Sequence, residues 1–388
     1  MNISFSNKMS QFETLIFSEL ANYKKQKIAQ GIEIIDLSIG SPDLPPPESV
    51  MEVLAKEVKN PYQYGYSMTG TKDLRKAITD YYAKNFDVVI QPENEIEVMM
   101  GSQDGLVHLP MVVANPGDLI LVPDPGYTAY STGISLAGAT PYPMPLKEQN
   151  GFLPDLEAIP VEVRAKAKLM ILNFPGNPVP VLATHEFFNT VVQFAKKHNI
   201  IVLHDFAYSE LYYDEKPICF LSVEGAKDVG IEFNSLSKSF NMAGCRIGYL
   251  VGNSQIIGAY SRLKSNLDYG VFTPIQKAAV SALENSTSFS EDLRTIYKRR
   301  RDILVEGLNE LGWKVDAPKA SMFIWAKVPD NYTSTTFVYR LIDETGIVIT
   351  PGNAFGEEGE GYVRIALVQT EELLMKAVKK LKDSQFFS

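Results

Sequence analysis

The stretch Asn234–Tyr249 reads NSLSKSFNMAGCRIGY and sets one lysine, Lys238, among Ser235, Ser237 and Ser239, with Arg246 eight residues further on. Between Val229 and Asp268 the only acid is Glu232, so neither cation has an obvious counter-charge in the segment. A lysine at a strand end is an amine nucleophile toward carbonyl carbon once burial or a neighbouring cation depresses its pKa. Arg246 supplies such a cation, and with the hydroxyls of Ser235 and Ser237 it can cradle a phosphate dianion. Neither role requires Ser239. The ordinary alternative, a solvated lysine beside an ion-paired arginine, is weakened by the lack of acids.

Four other loops carry comparable chemistry, each after an apolar run, where open α/β sheets bind ligands. After EIEVMM come Gly101, Ser102 and Gln103, a strand-to-helix turn whose free N–H groups and hydroxyl suit an anion. After DLILVPD comes PGYTAY, in which Tyr127 offers a ring for stacking. After KLMILNF comes PGNPVPV, in which Asn177 presents an amide donor. After IIVLHD, Asp205 ends a nearly all-apolar run, where a carboxylate is costly without a partner, and Tyr208 follows three residues later. Taken singly, these residues read as a serine N-cap, a core tyrosine, an Asx-turn and a turn-capping aspartate. Together they offer an amine nucleophile, a two-part phosphate cradle, a stacking ring, an amide and a buried acid. Those are the needs of pyridoxal phosphate, whose aldehyde takes a lysine and whose ring nitrogen takes an acid.

The elements that must position them are α/β units. From about Glu95 to Gly252, short apolar runs (EIEVMM, DLILVPD, KLMILNF, IIVLHD, GIEFNSL, GYLVG) alternate with amphipathic stretches such as THEFFNTVVQFAKKHN, where Thr184 and Glu186 suit a first helical turn. The runs barely alternate in polarity, as expected for parallel strands covered on both faces. The C-terminal part changes to a basic helix, DLRTIYKRRRDILVEGLNELG, then MFIWAKVP, STTFVYRLIDETG, GYVRIALV and a last helix from Thr370, which predicts a smaller α+β lobe. An N-terminal helix is expected from roughly Gln11 to Gly31, joined to the large part by the proline-rich GSPDLPPPE.

At 388 residues, 45% of them hydrophobic and 21% charged, the chain has material for two lobes. Its 46 acids against 37 bases argue against nucleic acid or an anionic membrane as partner and favour small molecules. Two cysteines and four histidines give no disulfide framework, no zinc spacing and no expected metal. The N-terminus shows no leader pattern and no apolar run approaches membrane-spanning length, so a soluble cytoplasmic protein is expected.

The lysine stretch resembles the lysine motif of fold-type I pyridoxal-phosphate enzymes, and IGSPD, GTKDLRKAI, GSQDGL, PDPGY, NFPGNP, HDFAY, TPGNAFG and GYVRIAL extend the resemblance to class I/II aminotransferases over nearly the whole chain. Within that class, HDFAYSELYYD, LSKSFNMAG and LDYGVFTPIQKAA look most like the alanine and LL-diaminopimelate aminotransferase subgroup. The resemblance implies an aspartate-aminotransferase-like α/β fold: a large domain with a mostly parallel seven-stranded sheet flanked by helices, plus a smaller α+β domain from both termini. The expected division is an arm and part of the small domain at 1–47, the cofactor domain at 48–285 and the small domain at 286–388.

Residue by residue, it implies that Lys238 binds pyridoxal phosphate and shuttles a proton, Asp205 pairs with the ring nitrogen, and Tyr208 and Asn177 hydrogen-bond the phenolic oxygen. Tyr127 stacks on the ring, and Ser102, Gln103, Ser235, Ser237 and Arg246 hold the phosphate. Arg364 in GYVRIAL takes the substrate α-carboxylate, with Gly40 and Asn177 beside it. Tyr64, with Tyr66 close behind it and Tyr62 further off, is expected to reach the phosphate of a second subunit, which implies a homodimer. Two departures from the family pattern, Val179-Pro180 after Asn177-Pro178 and Cys245 before Arg246, leave the chemical groups in place but bear on loop shape and substrate preference. The implied reaction is ping-pong transfer of an amino group from an L-amino acid of the alanine, aspartate or LL-diaminopimelate type to 2-oxoglutarate or pyruvate. The alternatives are a pyridoxal-phosphate C–S β-lyase and a non-catalytic ligand-sensing domain.

Overall fold

The structure, a computed structural model, describes residues 3–12, 15–285, 287–384 and 387. Its centre is a seven-stranded sheet in the order β2-β8-β7-β6-β5-β3-β4. The strands are β2 (Ile96–Met99), β3 (Leu119–Asp124), β4 (Thr140–Pro145), β5 (Ala167–Leu172), β6 (Ile201–Asp205), β7 (Gly230–Ser235) and β8 (Gly248–Gly252). All run parallel except β8, which is antiparallel to both neighbours. Successive residues of one strand enter opposite layers. Met170 and Leu172 of β5 join one hydrophobic cluster, whereas Leu169 and Ile171 join another. That is why these runs are continuously apolar in sequence.

Six of the strands coincide with the apolar runs expected. The seventh, β4, is TPYPMP, with prolines at 141, 143 and 145, and does not read as a strand. It pairs only with β3, at the sheet edge. Prolines at alternate positions all place their missing N–H on one side. The N–H groups of Thr140 and Leu146 point inward to Asp118 and Asp124, so the proline nitrogens line the free edge, where no ladder bond is lost.

A second, smaller sheet joins β11 (Thr350–Pro351), β12 (Tyr362–Ala366) and β9 (Phe323–Lys327) antiparallel, and β1 (Ile35–Asp36) pairs parallel with β10 (Ile347–Val348). Its hydrophobic cluster takes Leu20, Ile35 and Leu37 from near the N-terminus together with Leu293, Leu304, Val363 and Leu381. The N-terminal helix covers Leu15–Ala29, shorter than the expected span, and is preceded by a 3-10 turn at Asn7–Phe12. Ser286, where the C-terminal lobe is expected to begin, lies outside the described residues. The basic helix runs Thr287–Glu310 and the last one Glu371–Asp383, capped by the Thr370 side chain on the Leu373 N–H at 3.3 Å. Among the described residues no helix is long and apolar enough to cross a membrane.

Candidate active site

The loops following β2, β3, β5, β6 and β7 meet in one cleft lined by Ser102, Gln103, Tyr127, Asn173, Asn177, Asp205, Tyr208, Ser235, Ser237, Lys238 and Arg246, with Gly40 arriving from the N-terminal connector. Parallel strands deliver this convergence because their carboxyl ends all open on the same side of the sheet.

At one end lie the hydroxyls and Arg246. Gly101 has φ of 82°, and a Cβ there would stand 2.7 Å from Arg246 Nη2. The backbone turn therefore requires glycine, and the missing side chain lets the guanidinium come close. Gly101 leads into the Ser102–Val113 helix, whose first N–H groups face the cleft end. Ser235 caps the short Leu236–Ser239 helix, its Oγ accepting the Ser237 N–H at 3.2 Å, and its own hydroxyl hydrogen stays free to donate. Ser235 and Ser237 are buried and Arg246 is exposed, with Nη1 on the Ala243 carbonyl at 3.2 Å.

At the floor, Asp205 is buried and its carboxyl is pushed above the usual range by loss of solvent. The Tyr130 hydroxyl opposes this by donating to Asp205 Oδ2 at 2.9 Å, and so does the Ala207 N–H on Oδ1 at 3.3 Å; His204 precedes Asp205 on β6. His204 is itself held between Glu232 Oε2 (2.9 Å) and the Phe174 carbonyl (3.0 Å). Asn173 donates to the Asp205 carbonyl at 2.7 Å and accepts the Asn177 N–H at 2.9 Å, which ties the β5 and β6 loops together. Tyr127 stands edge-on to Tyr130, with centroids 5.8 Å apart. Burial raises the phenol pKa of Tyr208, whose ring packs on Phe323 of the small sheet.

Across the cleft from the sheet ends is Arg364, buried in β12. Its Nη1 donates to Asn177 Oδ1 at 2.8 Å and its Nη2 to the Ser38 carbonyl at 2.6 Å, while Nε has no partner among the described residues. Burial brings its pKa down to about 10, which leaves it cationic at neutral pH. Lys238 Nζ donates to the Gly40 carbonyl at 2.6 Å. Burial, then Arg364, then Arg246 lower its pKa to about 8, so far more of the amine is neutral and nucleophilic near neutrality than in an ordinary lysine.

Every site residue expected from this chain's own cleft is thus brought together. Tyr64 is not: it is exposed, its hydroxyl on the Val58 carbonyl at 2.8 Å and its ring on Phe272. Tyr66 is likewise exposed, against Tyr269. Three functional partners escape the sequence reading: Tyr130, Asn173 and Ser38. Tyr130 sits one helical turn after Tyr127 in PGYTAY, a spacing that was legible. Ser38 acts through its carbonyl, which no side chain announces.

With this geometry in place, the comparisons give the class. The model of the family aminotransferase class I and II matches residues 32–381, and the chain belongs to that family. It is a transaminase of the aspartate-aminotransferase-like fold, and the β-lyase and ligand-sensing alternatives are not favoured. Among its relatives, the LL-diaminopimelate aminotransferase of Aquifex aeolicus is 44% identical over 381 residues, covering 98% of each chain. Substrate-bound BacF from Bacillus subtilis superposes with a TM-score of 0.95 at 40% identity, covering 99% of this chain and 98% of that one. A mutant aspartate aminotransferase of Thermus thermophilus superposes with a TM-score of 0.91 at 26% identity, covering 99% and 100%.

Proposed function

We propose that the chain uses pyridoxal phosphate to take the amino group from LL-diaminopimelate, or an L-amino acid of similar form, and give it to 2-oxoglutarate or pyruvate. One observation carries the cofactor reading: a lysine with its pKa near 8 faces a cleft that has hydroxyls and an arginine at one end and a buried acid at its floor. Those residues fit the group. Ser102, Gln103, Ser235, Ser237 and Arg246 would hold the phosphate, Asp205 the ring nitrogen, Tyr208 and Asn177 the phenolic oxygen, and Tyr127 a ring face. When bound, the cofactor supplies an aldehyde that takes up the amino group and a ring that accepts electron density from the substrate Cα.

The remaining work belongs to this chain's side chains. Arg364 grips the α-carboxylate through its planar fork, with Asn177 holding the guanidinium in plane. Lys238, released from the Gly40 carbonyl, would take the proton from the donor Cα in one half-reaction and give a proton to the acceptor Cα in the other. Asp205, whose ionised form the Tyr130 hydroxyl favours against burial, would hold a proton on the ring nitrogen. The names of the 42–44% identical relatives support LL-diaminopimelate as donor. A homodimer is supported by a cluster of exposed rings, Tyr62, Tyr64, Tyr66 and Tyr269, that one chain leaves uncovered. Two free cysteines, Cys219 and Cys245, agree with a reducing cytoplasm.

The test is spectroscopic. Purified protein given pyridoxal phosphate should change absorption on addition of LL-diaminopimelate without an acceptor, and 2-oxoglutarate or pyruvate should restore the first spectrum. No spectral change with any of a panel of L-amino acids would sink the transfer reading. A response confined to alanine or aspartate would replace the proposed donor alone.

A further inference from the structure

The connector from Leu37 to Pro47 has no regular secondary structure, yet it crosses the cleft. Its start is fixed by Leu37, whose N–H donates to Val348 and whose carbonyl accepts from Ala366 (2.7 and 2.8 Å). Beyond that point three of its carbonyls accept from other segments. Ser38 takes Arg364 and the Thr350 hydroxyl (3.2 Å), Gly40 takes Lys238, and Pro45 takes Asn241 at 3.2 Å. Two of those four donors, Arg364 and Lys238, are the groups assigned to the reaction. Past Ser38, the only connector side chain that hydrogen-bonds among the described residues is Asp43. Both its oxygens accept from Arg300, Nη1 and Nη2, at 2.8 Å each.

Arg300 stands on the Thr287–Glu310 helix with 3% of its surface exposed. Its Nη1 also donates to the Leu367 carbonyl at 3.0 Å, the residue just past β12 and three beyond Arg364. One guanidinium therefore ties the connector, which carries Ser38 and Gly40, to the end of the strand that carries Arg364. We propose that Asp43 and Arg300 are positioning residues for this reaction, a latch that sets the spacing of the substrate-carboxylate clamp between Arg364 and the Ser38–Gly40 backbone. The physical reason is independence from the reactants. Once Lys238 is committed to the cofactor it no longer donates to Gly40, and Arg364 is shared with the substrate. Beyond Leu37, Asp43–Arg300 is the charged tie to the connector, among the described residues, for which no reactant competes; the neutral ties from Thr350 to Ser38 and from Asn241 to Pro45 are single bonds. A bidentate pair fixes angle as well as distance, which a lysine in place of Arg300 would not.

This inference rests on the reading of Arg364 as the α-carboxylate site, and the experiment separates the two. Holoenzyme carrying Asp43→Asn is compared with wild type and Arg364→Leu in steady state, and in half-reactions with L-alanine and with ethylamine, which lacks the carboxylate. Asp43→Asn should raise KM for amino acid and 2-oxo acid about 10-fold or more while kcat stays within about 3-fold, and the ethylamine rate should not move. Asp43→Glu should recover part of the loss. If Asp43→Asn does not fold because Arg300 is left buried and unpaired, Asp43→Asn with Arg300→Met removes that charge and should show the same KM pattern. An unchanged KM in the Asp43 variants, or an ethylamine rate that falls in parallel, overturns the latch. An unchanged KM in Arg364→Leu overturns the carboxylate reading and the latch with it.

Discussion

The two sides of the cleft are built in different ways. The side assigned to the cofactor comes from five loops of one sheet, each delivering its residues directly after its own strand, from Ser102 after β2 to Lys238 after β7. The side assigned to the substrate carboxylate is assembled from segments far apart in the chain: Arg364 meets Ser38 across 326 positions and Asn177 across 187. The first side is held by a continuous core and by short-range loop geometry. The second is held by a few long-range polar contacts, so it can loosen without disturbing the first. Two-lobed sites of this kind separate the task of retaining a cofactor from that of admitting and releasing substrate.

Substitutions should therefore split cleanly between the two sides. The largest effect belongs to Lys238→Ala, which removes both the covalent attachment and the proton carrier. Multiple turnover should fall by at least about 10⁴-fold, while gel filtration still finds cofactor retained by the cradle. Sustained turnover in that variant would break the assignment of Lys238.

Arg364→Leu comes next. Loss of one partner of a buried, charge-assisted contact should lower kcat/KM by about 10²–10³-fold, with cofactor affinity unchanged within about 3-fold. A parallel loss of cofactor affinity would show that the two sides are not independent.

Tyr130→Phe is smaller. The Tyr130 hydrogen bond favours the ionised form of Asp205 against burial, and a bond to a charged group is worth about 1.5–3 kcal/mol. Without it the Asp205 pKa rises further. Activity should fall about 10-fold, and the acid limb of the kcat profile should move to higher pH because the carboxylate is lost sooner as pH falls. An unmoved acid limb would remove Tyr130 from the mechanism.

The mildest test is the pH dependence of cofactor attachment to the apoprotein. Lys238, lowered to about 8, is neutral above that pH and cationic below it. The rate should climb about tenfold per pH unit up to about 8 and then level, following the neutral fraction. In Arg364→Leu the midpoint should move upward, because that guanidinium is one of the charges that depress it. A midpoint near the ordinary lysine value in wild type would mean that Lys238 is solvated.

The split also explains what was legible in advance. Ser102, Tyr127, Asn177, Asp205, Tyr208 and Lys238 could be found because each follows an apolar run whose end must open at the same face of the sheet. Chain order alone placed them together. Arg364 was found by its motif, with Asn177 beside it; its other partner, the Ser38 carbonyl, was not. Tyr130 was one helical turn from a residue already singled out, but its role depends on which way that turn faces Asp205. β4 was missed because three prolines contradict strand propensity everywhere except on a free edge, and being an edge is a property of the assembled sheet.

The sequence by itself determined the α/β class, the carboxyl-end loops and the chemical inventory of the cofactor side, because apolar runs of strand length and the polar residues that end them are local features. Only the tertiary structure decided that Ser38 and Gly40 lend carbonyls to Arg364 and Lys238, that Tyr130 supports Asp205, and that Asp43 meets Arg300. Those contacts are made by backbone groups or by side chains 75 to 257 positions apart. Their partners are fixed by how the elements pack against one another, and no local pattern encodes that packing.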